Sequence, residues 1–141
     1  MRFHDHGGRD KALAHPTLKV HLAAFLVVVL RISSFSEPEQ VRVSHILVAV
    51  PRGAPEAYKA EARLKIDQIR DRINSGEDFA AVAKQTSECP SREKGGDLGF
   101  ISRGQTNDEP FEDTIFTCKP NEINIIWTHF GYDLLKVTDH K

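Results

Sequence analysis

The run Val41 to Val50, VRVSHILVAV, constrains the fold of this chain more than any other feature. It is dense in β-branched side chains and stops at Pro51, so it reads as a strand. Near its middle sits His45, whose imidazole can change charge near neutral pH. A lone histidine on a buried strand is more often a satisfied core residue than a catalyst. Its role therefore has to be decided by the rest of the chain.

From about Pro55 to Ser75 the apolar residues Ala62, Ile66, Ile69 and Ile73 recur at helical spacing, and Gly76 stands where a left-handed C-cap belongs. A second, shorter helix is expected to start with Asp78 as N-cap, to bury Phe79, Val82 and Ala83, and to end near Thr86. Ser87 to Gly96 (SECPSREKGG) is polar, with Pro90 and a glycine pair, and reads as a loop. Asp97 to Ile101 is a short strand. Pro110 to Phe116 (PFEDTIF) makes a brief helix, since Pro110 suits a first-turn position and Phe111 and Ile115 lie one turn apart. Two further strands, Ile123 to Trp127 and Tyr132 to Val137, flank a tight connection containing Gly131. The order βααβαββ lacks regular βαβ alternation, which predicts an α+β domain with helices packed on a small, largely antiparallel sheet.

A chain of 141 residues can bury one substantial core but not two. The first 36 residues carry five Lys/Arg against two Asp/Glu, and the remainder 14 against 18, so neither part is charged for nucleic acid. The two cysteines, Cys89 and Cys118, do not make a disulfide framework. We expect a basic extension over residues 1–36 and a folded domain over 37–141. Met1 to Thr17 lacks apolar periodicity and reads as disordered. His4-Asp5-His6 on such a tail makes a weak metal site, and no metal or other cofactor is assigned. Leu22 to Leu30 (LAAFLVVVL) is too short for a simple membrane span and is followed by Arg31. It has the size of a signal-peptide core, although Met1 to His21 is long for a leader. A signal would place the domain in the periplasm or otherwise outside the cytoplasm; without one it is cytoplasmic.

Several segments, in order, point to one family: SHIL (Ser44 to Leu47), GEDFAAVA (Gly76 to Ala83), SECPS (Ser87 to Ser91), GGDLGFISRGQ (Gly95 to Gln105), PFED (Pro110 to Asp113) and THFGYDLLKV (Thr128 to Val137). Together they resemble the parvulin-type peptidyl-prolyl cis/trans isomerases, or rotamases, over about Val41 to Asp139. The resemblance implies a four-stranded, largely antiparallel parvulin sheet. It also implies an activity: rotation of the bond before proline in unfolded or extended protein segments, with no cofactor and with a monomer as the expected state. The alternative is a domain of the same fold that binds polypeptide clients as a chaperone and turns over weakly.

By resemblance, the proline ring sits in an apolar pocket to which Leu98 and Phe111 contribute, and Gln105, Thr106, Asn107 and Phe130 join the substrate-binding set. His45, Cys89, Thr128 and Asp133 form the catalytic set. The family's usual GYH reads Gly131-Tyr132-Asp133 here, so a carboxylate replaces the second histidine of the cluster. A carboxylate beside His45 favours the imidazolium, and we expect a His45–Asp133 hydrogen bond with weakened turnover. After Gln105, where the family commonly has a pocket-lining Met, the chain supplies Thr106-Asn107-Asp108-Glu109. Losing that side chain removes about 1–3 kcal/mol of apolar contact.

Other readings of these residues are weaker. Cys89 with His45 could form a hydrolase pair, but no oxyanion-hole signature accompanies them. Gly95, Gly96 and Gly99 lead into a strand with no Lys-Ser/Thr after them, so turn geometry explains them better than a phosphate loop. Pro51 to Tyr58 offers only Arg52 as a cation, which argues against selection of phosphorylated substrates. Cys118 and Trp127 are read as core or strand-edge residues.

Overall fold

The computed structural model describes residues 37–141, and the basic extension, the apolar run Leu22 to Leu30 and His4-Asp5-His6 lie outside the described residues. The elements are β1 (Gln40–Ala49), α1 (Glu56–Asn74), α2 (Phe79–Thr86), β2 (Asp97–Ser102), α3 (Glu109–Thr117), β3 (Ile123–Thr128) and β4 (Gly131–His140). The four strands form one antiparallel sheet in the order β2-β1-β4-β3, which puts the His45 strand and the Asp133 strand side by side at its centre.

Alternation along the central strands divides the core in two. Ile46, Val48 and Leu134 face α1 and α2, where they pack with Ala62, Ile66, Ile69, Phe79, Val82 and Ala83. Val41, Val43, Leu135 and Val137 face the other way and pack with Phe111, Ile115 and Phe116 of α3 and with Cys118. His45 and Asp133 have the parity of this second face. Because α3 covers only one end of it, the other end is left open for a cavity.

The helix ends follow local chemistry. Helix α1 closes in a Schellman arrangement: Gly76 N–H donates to Ile73 O at 3.1 Å and Glu77 N–H to Arg72 O at 3.2 Å, with Gly76 at φ +113°. Asp78 caps α2 by accepting from Ala81 N–H at 3.1 Å. The polar loop after α2 is not wholly irregular, since Pro90–Lys94 forms a 3₁₀ turn. Proline at its first position fixes φ and supplies no N–H to satisfy, which is why a stretch read from composition as loop winds up there. Trp127 lies at the sheet edge, 46% exposed, with its ring edge-on to Tyr132. Cys118 is buried. Among the described residues no helix is long and apolar enough to cross a membrane, and no cluster of three or more His, Cys, Asp or Glu is placed to hold a metal ion.

Candidate active site

Strand register builds the polar floor of the site. His45 pairs with Leu135 and Asp133 with Leu47, so His45 and Asp133 are diagonal neighbours on one face of the β1–β4 ladder. On the other side of β4, Asp133 pairs with Ile126 and Thr128 with Gly131, which makes Thr128 the second diagonal neighbour. The carboxylate uses one oxygen for each. Oδ1 lies 2.8 Å from His45 Nδ1, and Oδ2 accepts from the Thr128 hydroxyl at 3.0 Å. Thr128 Oγ1 in turn accepts from Phe130 N–H at 3.3 Å, which ties the β3–β4 turn to the floor.

The far nitrogen of His45 is held by a residue that pattern reading left without a role: Nε2 lies 2.9 Å from Ser91 Oγ. Ser91 sits in the 3₁₀ turn, two residues after Cys89, and the whole segment is docked on β1. Buried Ser87 accepts from Leu47 N–H at 3.1 Å and from Cys89 N–H at 3.3 Å, while Glu88 N–H donates to Leu47 O at 2.9 Å. At the other end of the turn Gly96 O accepts from His45 N–H at 2.9 Å. A Cβ at Gly96 would meet His45 O at 2.3 Å, and its φ of +82° also excludes most side chains. The signal for Ser91 was present in the SECPS segment, where it follows a proline that sets the turn.

Burial pushes the His45 pKa down, but the hydrogen bond and charge of Asp133, with a smaller contribution from Cys89, outweigh it and hold the imidazole above its ordinary value. Burial likewise pushes the Cys89 thiol up, yet hydrogen bonds from Ser91 and the neighbouring His45 bring it below the usual thiol range.

Above this floor is a cavity of about 400 Å³ walled by Leu98, Thr106, Asn107, Phe111 and Phe130, with His45, Thr128 and Asp133 at its base. Each wall has a local cause. Val43 pairs with Gly99 and Ser44 with Asp97, so a bulge leaves Leu98 without a ladder partner and turns it into the cavity. The Phe111 ring stands edge-on to His45 at 87°, centroids 6.5 Å apart. Thr106 spends its hydroxyl on Glu112 of α3 at 2.7 Å. Asp108, another residue that pattern reading gave no part, caps α3 through Phe111 N–H at 3.3 Å and also accepts from His129 N–H at 3.3 Å. It thereby joins the two walls that carry Phe111 and Phe130. Its signal was an Asp just ahead of Glu109-Pro110, an N-cap position.

Two of the expected residues stand off the cavity wall. The Gln105 side chain turns back to accept from Ser102 N–H at 2.7 Å, closing its own turn instead of lining the pocket. Cys89 is half-buried beside the 3₁₀ turn, on the His45 side of which the imidazole charge helps to lower its thiol pKa.

Comparison with known proteins places this architecture. A family model described as PPIC-type PPIASE domain matches residues 27–141. The chain is 39% identical over 103 residues to Chaperone SurA of Cupriavidus pinatubonensis, covering 72% of this chain and 20% of that protein. It is 39% identical over 104 residues to Foldase protein PrsA 4 of Bacillus cereus, covering 72% of this chain and 32% of that protein. Among solved structures, the peptidylprolyl isomerase PrsA from Bacillus anthracis superposes with a TM-score of 0.60 at 30% identity, covering 74% of this chain and 43% of that one. The chain thus spans a fifth to a third of the length of these two curated relatives. With its α+β architecture and its matching sequence from residue 27 onward, this chain belongs to the PPIC-type peptidyl-prolyl isomerase domain family.

Proposed function

We propose that residues 37–141 form a peptidyl-prolyl cis/trans isomerase domain that rotates X-Pro bonds in unfolded or extended polypeptides without requiring phosphate. The observation that carries this reading is the juxtaposition of an apolar-walled cavity with a hydrogen-bonded floor: Leu98, Phe111 and Phe130 above, His45, Asp133 and Thr128 below. The reaction has a barrier of about 18–20 kcal/mol, which comes from amide resonance. A planar amide is dipolar and the twisted transition state is less so, so a dry slot that grips the pyrrolidine ring favours the twisted form. No bond is broken, so a positioned imidazole and thiol serve by hydrogen bonding and field alone.

A second reading, binding of clients with little turnover, is favoured by Asp133 in place of a histidine and by Phe130, which is 69% exposed at the cavity mouth. The names of the curated relatives, a chaperone and a foldase, support polypeptide clients under either reading. A protease-coupled proline isomerisation assay on the full chain separates the two. Turnover above background that falls in His45→Ala supports the enzyme; no turnover with retained suppression of client aggregation supports the binding module. Fractionation of cells tests export: a processed form outside the cytoplasm supports a signal segment within residues 1–36, and an unprocessed cytoplasmic form opposes it.

A further inference from the structure

The sheet ends on two edges, and only one of them is guarded. In an antiparallel ladder each residue turns its N–H and C=O to one side, and the next residue turns them to the other. Val50 N–H donates towards the β3–β4 turn, to Phe130 O at 2.8 Å, and His45 N–H donates the opposite way, to Gly96 O at 2.9 Å. Val48 and Ile46 therefore bond Tyr132 and Leu134 of β4, which leaves Asp133 and Leu135 to bond Ile126 and Asn124 of β3. The backbone groups of Ile123, Ile125 and Trp127 consequently point away from the sheet. Among the described residues no loop or side chain pairs with them. The strand itself, INIIWT, has no charged residue and no proline, two usual guards of an edge. At the opposite edge β2 is protected: it bulges at Leu98, and its Ser102 N–H is taken by Gln105 Oε1 at 2.7 Å.

We propose that the outer edge of β3 docks an extended stretch of client polypeptide, which joins the four-stranded sheet as a further strand, antiparallel like every other pair in it. Pairing through N–H and C=O reads no side chain, which suits unfolded segments of varied sequence. The strand adds one mild preference. Ile123 and Ile125 lie on the face that packs towards α1, and Trp127 follows them on it, 46% exposed and edge-on to Tyr132. A client strand laid beside them turns alternate side chains onto that apolar surface, so segments with alternating apolar residues fit it. Its place in the fold names the occupant. At Trp127 the edge runs into a cavity of about 310 Å³ between Pro51 and His129, which shares Thr128 and His129 with the cavity over His45. A chain held along β3 is thus led to the proline cavity, whereas a second copy pairing β3 to β3 would close the edge.

The inference rests on the reading that extended polypeptides are the clients, but its test reads binding of a peptide without proline, so failure of either can be told apart. The probe is a synthetic peptide that alternates valine and serine and is long enough to lie along the six residues of β3. Alternation fixes its register, because a slip by one residue turns the valines off the apolar face. Binding to the full chain is followed by NMR, and the amides of Ile123, Ile125 and Trp127 are expected to gain protection from hydrogen exchange. N-methylation of the valines is expected to weaken binding about ten-fold or more, while N-methylation of the serines leaves it within about two-fold. Ile125→Pro removes an outward N–H that the fold does not use and is expected to abolish binding, which Ile125→Ala retains. Equal loss with both methylation patterns, or wild-type binding in a folded Ile125→Pro protein, would overturn the proposal. So would sedimentation that shows a peptide-free dimer dispersed by Ile125→Pro, since a second copy would then own the edge. Should Ile125→Pro fail to fold, the two methylated peptides decide the matter on the wild-type protein.

Discussion

Asp133 holds the ring of His45 from 2.8 Å across the β1–β4 ladder, and both residues are more than nine-tenths buried. A buried carboxylate at that distance stabilises the imidazolium. Replacing it with Asn keeps an acceptor for Nδ1–H but removes the charge, so the His45 midpoint in an NMR titration falls in Asp133→Asn. Asp133→His places there the imidazole that the family resemblance leads one to expect, and faster isomerisation in that variant supports a cluster limited by the carboxylate.

The same pair makes stability depend on pH. The folded-state value of His45 is raised, whereas in the unfolded chain a histidine titrates near 6.5. The stabilisation from the charged pair is therefore complete below about pH 6.5 and is lost as pH rises through the folded value. Urea midpoints measured across that window fall with rising pH in the wild type. The slope flattens in Asp133→Asn.

Thr128 donates one hydrogen bond to a buried carboxylate and accepts another from the turn. Thr128→Val keeps the shape and removes both. Thermal and chemical denaturation is expected to show a loss of about 2 kcal/mol, the scale for a hydrogen bond to a charged group together with an N–H left unpaired.

Gly96 permits the backbone contact that seats the 3₁₀ turn beneath His45. In Gly96→Ala the new methyl meets His45 O in a backbone conformation that already disfavours a side chain. We expect about 3 kcal/mol of destabilisation, read from denaturant midpoints.

Phe130 separates binding from folding. It is mostly exposed at the cavity mouth, so Phe130→Ala should leave stability within about 0.5 kcal/mol of the wild type. If the ring covers bound proline, affinity for a proline peptide, measured by NMR titration, falls by about ten-fold.

The elements were legible because their signals are local. The β-branched run around His45, the 3.6-residue spacing of Ala62, Ile66 and Ile69, and Gly76 and Asp78 at helix ends all act within a few residues of themselves. The floor of the site is different in kind. His45 and Asp133 are 88 positions apart and meet only through the register of a ladder, which no local pattern encodes; family resemblance brought them together. Ser91 and Asp108 were missed because a serine and an N-cap aspartate satisfy ordinary local roles, and only the fold turns them towards a second partner. Gln105 went the other way: its amide closes its own turn, a short-range bond that wins over the pocket.

The central claim is that a proline ring enters the cavity over His45 and that its amide turns there. Two-dimensional exchange NMR on a proline peptide with substoichiometric full-length protein tests it directly, because one sample reports both rate and contact. We predict cis/trans exchange much faster than the uncatalysed 10–100 s, slowed in His45→Ala, with cross-relaxation between the proline ring protons and Phe111. Exchange at the uncatalysed rate, with no contact between the proline and Phe111, would contradict the account.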